Sequence, residues 1–133
     1  MKQSEINQSI RLLVAKIANQ EGLKVAWPNV PFDSINDTYL QIHIMPAATD
    51  NLGLALDMPI FKGVIQINIV GKVGGGEEQL THIADSIKDQ LENGLTLTET
   101  LYLNSEPNQL PPLTREANYI IPIRTSYRCD SIK

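Results

Sequence analysis

Apolar residues recur at helical spacing between positions 4 and 20. Ile6, Ile10, Leu13, Val14 and Ile17 fall on one stripe, which predicts an amphipathic helix. Ser4 is the predicted N-cap, although position 7, where a capping acid belongs, is Asn. Gly22 is the predicted stop. Lys24 to Ala26 reads as a short extended segment. The period then drops to two in "TYLQIHIMP". Leu40, Ile42 and Ile44 point one way, Tyr39, Gln41, His43 and Met45 the other, and Pro46 ends the strand. "IFKGVIQINIVG" alternates more strongly, with Ile65, Ile67 and Ile69 opposite Val64, Gln66, Asn68 and Val70. That second face is only half polar, so part of it is predicted to be covered. Gly63 predicts a bulge or a close backbone approach.

Helical spacing returns over about 76–93, where Leu80, Ile83, Ala84, Ile87 and Leu91 form the apolar stripe. Glu77 and Glu78 sit in the first turn, where the helix dipole favours them, and Asn93-Gly94 is the predicted end. "LTLTETLYLN" (95–104) has strand propensity and reads as one strand or two short ones. A proline-rich connection, 106–114, leads to a last strand over 117–129, where Tyr119, Ile121, Ile123, Thr125 and Tyr127 share a face. Pro122 within it predicts an edge position or a bulge. The order α-β-β-α-β-β predicts an α+β fold: a mostly antiparallel sheet of four to five strands, with two helices packed on one face. At 133 residues the chain is expected to form a single domain, 1–133, without needing a disulfide or metal.

Two segments resist this scheme. Residues 47–59 read as a long loop or a protruding hairpin, with Leu52, Leu54, Leu56 and Met58 set among Asp, Asn and Gly. Those side chains either form an exposed patch for a protein partner or fold back onto the core. "VAWPNVPFDS" holds the only tryptophan in irregular sequence. Trp27 and Phe32 are expected to form a lid over the end of the helix–sheet core or a subunit contact.

Composition and charge narrow the function. Hydrophobic residues make up 42% and charged residues 20%, which is ordinary for a soluble globular protein. The net charge of −4 argues against a dedicated nucleic-acid site. Cys129 is the single cysteine, which rules out an intramolecular disulfide and a cysteine metal cluster. The N-terminus carries no signal-peptide pattern and no segment reaches the ~20 apolar residues of a membrane span, so a soluble protein made in the cytoplasm is expected.

No catalytic, cofactor-binding or metal-ligating residues emerge. The glycine run is followed by Glu77 and Glu78, which repel phosphate, rather than by the Lys-Ser/Thr of a phosphate loop. His43 and His82 lack the further nitrogen or sulfur ligands that zinc prefers. The carboxylates are scattered, and no nucleophile is paired with a base. Lys62, Lys72, Arg124 and Arg128 lie on or beside predicted strands, either as an ordinary polar sheet face or as a contact that lines a pore or faces an acidic partner.

The ordered set "WPNVPF", "YLQIHIMPA", "LGLALDMPIFKGVIQINIVGKVGGGEEQLTHIADSIKDQL" and "YIIPIRTSYRC" resembles the tail terminator-like proteins of long-tailed bacteriophages and prophages, from about Ile6 to Cys129. The resemblance implies a structural protein that assembles as a ring, usually of six copies, on the last ring of the tail tube protein. It implies a cap that ends tube polymerisation and meets a head-side connector protein. The expected location is the tail–head junction of the virion, after assembly in the host cytoplasm. No catalysis, cofactor or membrane is implied. A neck connector of the same virion and a small ligand-binding domain are the alternatives.

Overall fold

The structure, a computed structural model, describes residues 2–30, 32, 38–47, 50–51, 59–74 and 76–130. Helix α1 runs over Gln3–Glu21. Its N-cap is Lys2, two residues before the predicted cap. The backbone N–H of Lys2 donates to the Glu5 carboxylate at 3.0 Å, so the acid three residues past the true N-cap is Glu5, not position 7. Lysine has no side-chain acceptor, so only this half of a capping box forms. Gly22 closes the helix with φ +69°, and the N–H groups of Gly22 and Leu23 return to the carbonyls of Asn19 and Ala18. That left-handed conformation strains any residue with a Cβ. Ile6, Ile10, Val14 and Ile17 are buried, each contributing about 1.5–3 kcal/mol by burial.

Strand β1 (Lys24–Ala26) lies parallel to β2 (Tyr39–Pro46). β2 pairs antiparallel with β4 (Pro59–Lys72), whose start also pairs with β3 (Asp50–Asn51). Segment 47–59 therefore begins and ends as a hairpin stem; Leu52, Leu54, Leu56 and Met58 lie outside the described residues. Helix α2 covers Glu78–Gln90 and is shorter than predicted at both ends. After it come β5 (Leu101–Leu103), β6 (Asn108–Gln109), β7 (Leu113–Arg115) and β8 (Asn118–Asp130). β4 and β8 pair without a register break from Ile60↔Asp130 to Lys72↔Asn118, forming the spine of the sheet.

The α+β class with two helices holds, but among the described residues the sheet is mixed and has eight strands, five along the path β1-β2-β4-β8-β5 and β3, β6 and β7 off it, rather than being mostly antiparallel with four to five. The element order is accordingly α-β-β-β-β-α-β-β-β-β. Short strands account for the difference. β5, β6 and β7 share one edge of β8 in turn, and residues 95–104 fold into a tight hairpin with a Thr96↔Tyr102 bridge. Segments of two or three residues carry too little alternation to be read as strands.

Pro122 is neither at an outer edge strand nor in a bulge. It pairs with Asn68 in unbroken register, and its carbonyl accepts the Leu110 N–H at 2.9 Å. A residue's N–H and C=O point to the same side of a strand. The missing N–H therefore faces the gap between β6 and β7, where no ladder bond is lost.

One face of the sheet carries Leu40, Ile42, Ile65, Ile67, Ile69, Ile121 and Ile123, and both helices pack on it to form one core. Gly63 is placed there by close approach: a Cβ would sit 2.6 Å from the Tyr127 hydroxyl and 2.7 Å from the Met45 carbonyl oxygen. Cys129 is buried in the same core. No helix of the described residues is long and apolar enough to cross a membrane.

Candidate interaction surface

Strand alternation sends the other half of β2, β4 and β8 to the outer face of the sheet, away from the helices. One end of this face is apolar. Tyr39, Val70 and Ile120 form a second buried cluster, and Phe32 covers it with its ring centroid 4.7 Å from that of Tyr39. The middle is an amide ladder. Asn68, 7% exposed, accepts from Gln66 Nε2 at 2.9 Å and donates to Gln41 Oε1 at 3.3 Å. Arg124, directly across from Gln66, donates to Gln66 Oε1 through Nη2 at 2.6 Å. Each amide is oriented by its neighbour, which fixes the guanidinium over the sheet. Beyond it, Met45 and Val64 make a small apolar row, and Lys62 and Arg128 stand directly opposite one another. Arg128 also donates to Asp130 Oδ1 at 2.7 Å.

Lys24, Lys62, Lys72, Arg115, Arg124 and Arg128 all occupy outward-facing register positions, six of the eleven Lys and Arg residues. The exposed side of α2 has the opposite character. Glu78, His82, Asp85 and Asp89 follow one exposed stripe of α2, and exposed Glu92 lies just beyond its end. Lys88, partly buried, pairs with Asp85 at 3.4 Å. The net charge of −4 thus conceals a basic sheet face and an acidic stripe on α2, while α1 on the same layer exposes Arg11 and Lys16.

The two helices are tied by Glu21, which accepts from Ser86 Oγ at 2.7 Å and from Gln90 Nε2 at 3.2 Å. An open groove of 740 Å³ lies beside it, lined by Glu21, Gly76, Glu77, Glu78, Gln79, His82 and Ile83. Tyr119 donates to the Glu77 carboxylate. That bond, with lesser contributions from burial and from the negative charge of Glu77, raises the Tyr119 pKa. Tyr127 is also raised, chiefly by burial, against the lowering effect of its bond from Gln3. His43 is exposed on the outer face opposite Gln66, and His82 is exposed on α2, 3.9 Å from Glu78. Among the described residues no group of three or more His, Cys, Asp or Glu side chains is placed to hold a metal.

Of the residues singled out in the sequence, the structure brings Lys62, Arg124 and Arg128 onto one face. It separates Trp27 from Phe32. Trp27 is half-buried against the main core, whereas Phe32 packs on the opposite face. The twelve residues between β1 and β2, 27–38, make the crossover that a parallel pair requires, and its two aromatics anchor to opposite faces. Sequence reasoning missed the amide ladder and the charge segregation. The polar alternation of Gln41, Gln66 and Asn68 was visible, but their adjacency depends on register.

These features define a small α+β module with a basic outer sheet face and an acidic stripe on α2. The chain belongs to the phage tail terminator protein family, whose model matches residues 5–127. It is therefore a phage tail structural protein, located in the virion with other virion components. Among solved structures, a chain that carries no descriptive name matches with TM-score 0.81 and 24% identity, covering 100% of this chain and 99% of that one. A chain from the virion of a native gene transfer agent particle matches with TM-score 0.61 and 17% identity, covering 95% of this chain and 92% of that one. At these identities the two show the fold. No curated protein matches.

Proposed function

We propose that this chain, acting as one domain, caps the tail tube, ends its polymerisation and offers the surface on which the head is joined. The family match over residues 5–127 carries this reading. Its role is structural, without catalysis or a cofactor. Copies assemble as a ring, six being the expected number, on the last ring of tail tube protein and beneath a head-side connector protein. Assembly takes place in the host cytoplasm, and the finished ring sits at the tail–head junction. The contact surface comprises Leu52, Leu54, Leu56 and Met58 together with Lys62, Arg124 and Arg128.

The outer sheet face supports a contact role, because Lys62 and Arg124 are exposed and Arg124 is held in place by an amide ladder. Electron microscopy of particles made without this protein tests the reading. Abnormally long tails are expected. Normal-length tails detached from heads would instead assign the chain to a neck connector.

A further inference from the structure

We infer that the basic outer sheet face of one copy docks on the acidic α2 stripe of a second copy, a head-to-tail contact that rests on the reading that copies assemble. The two surfaces lie on opposite layers of the molecule, so one copy carries both halves of the contact. Such a contact is heterologous, and the rotation between neighbours decides whether it closes into a ring.

The dimensions agree. Arg124 and Arg128 are four residues apart on one strand face, about 13 Å at strand rise. Glu78 to Asp85 is seven residues and Glu78 to Asp89 eleven, about 10 to 16 Å at helical rise. A carboxylate pair on α2 therefore spans the arginine pair on β8. Met45, 39% exposed, and half-buried Val64 lie between the two cationic rows, giving the face an apolar centre within a charged rim. That arrangement suits a protein surface. A nucleic acid would leave the apolar row facing phosphate.

Charge reversal on the full-length chain tests the contact. Sedimentation velocity at low salt is expected to show wild-type association that weakens about tenfold or more when salt screens the charges. Arg124→Glu breaks one face and Asp89→Lys the other, so each variant alone is expected to be monomeric, with unchanged circular dichroism and melting. Mixed one to one, unlike copies offer each other one wild-type and one charge-swapped pair of faces, and the mixture is expected to regain assemblies larger than dimers. The double variant restores opposite charges and is expected to regain larger assemblies.

Single variants that associate like wild type, a mixture that stays monomeric, or a wild type monomeric at low salt would each overturn the contact. So would short duplex DNA binding that Arg124→Glu abolishes while self-association persists. The tail-length experiment fails or succeeds separately. Long tails without the protein but normal tails with Arg124→Glu would retain the capping role and reject this surface.

Discussion

At the residue scale, the tightest constraint is the crossing of Gly63 and Tyr127. They are cross-strand partners, and the aromatic ring fills the space that a side chain at position 63 would take. Gly63→Ala forces its Cβ against a buried ring on one side and the Met45 backbone carbonyl on the other, and neither neighbour is the flexible tip of a side chain. The expected loss is about 1–3 kcal/mol, read as a lower denaturant midpoint at unchanged slope. Tyr127→Phe alone removes the hydroxyl that accepts from Gln3 at 3.3 Å, and is expected to cost about 1 kcal/mol. Combined with Gly63→Ala it also removes one clashing atom, so the pair is expected to cost less than the sum.

The same ring has a consequence for pH. The pKa values of Tyr119 and Tyr127 are raised in the folded protein, so the native state holds these protons more tightly than the unfolded chain. Their contribution to stability is fully present below the ordinary tyrosine value near 10 and is lost as pH climbs through the raised values. Stability is therefore expected to fall in the alkaline range above about pH 10. A spectrophotometric titration should find these two of the four tyrosines ionising late, and Tyr119→Phe should remove one of them.

At the element scale, β8 shows what the sequence displayed and what it concealed. Its apolar alternation from Tyr119 to Tyr127 was legible, as were the stripes of α1 and α2 and the alternation of β2 and β4, because burial on one face leaves a periodic trace. The short strands left none. β6 and β7 are held by pairing with β8 and not by burial, since their residues are exposed. Between β5 and β6, Ser105 takes over the edge through its hydroxyl, which accepts the Ser126 N–H at 3.0 Å. No local propensity announces such a bond. The candidate surface was half legible for the same reason. Lys62, Arg124 and Arg128 were visible as charges on strands, but their meeting is a matter of register.

Pro122 illustrates the limit most sharply, since a proline in a central strand argues against that assignment. What permits it is the side of the strand its nitrogen faces. Pro122→Val is accordingly expected to change stability by no more than about 0.5–1 kcal/mol, because the new N–H meets the gap between β6 and β7. Ile121→Pro is expected to be far worse. Its N–H points towards β4, so the substitution removes a ladder bond in the spine and a buried side chain together. Thermal melting of the two variants separates them: a near-native transition for the first and loss of the cooperative transition for the second.

At the scale of the whole molecule, the question is where uncovered apolar surface sits relative to charge. The stem formed by β3 and the start of β4 includes Ile60, whose partner is Asp130, two residues from Arg128. In the chain, Leu54 and Leu56 fall between Asn51 and Pro59, which pair in that stem. If that segment meets a neighbouring subunit or the tube, its leucines are covered only in the assembly. A charge there then costs the isolated chain almost nothing and the assembly a great deal. Leu54→Asp and Leu56→Asp are each expected to leave the melting of the purified protein within about 0.5 kcal/mol of wild type. In particles, each is expected to give over-long tails by electron microscopy. Unfolding of the isolated variant would place these leucines in the core of a single copy, and the assembly surface would then reduce to the sheet face alone.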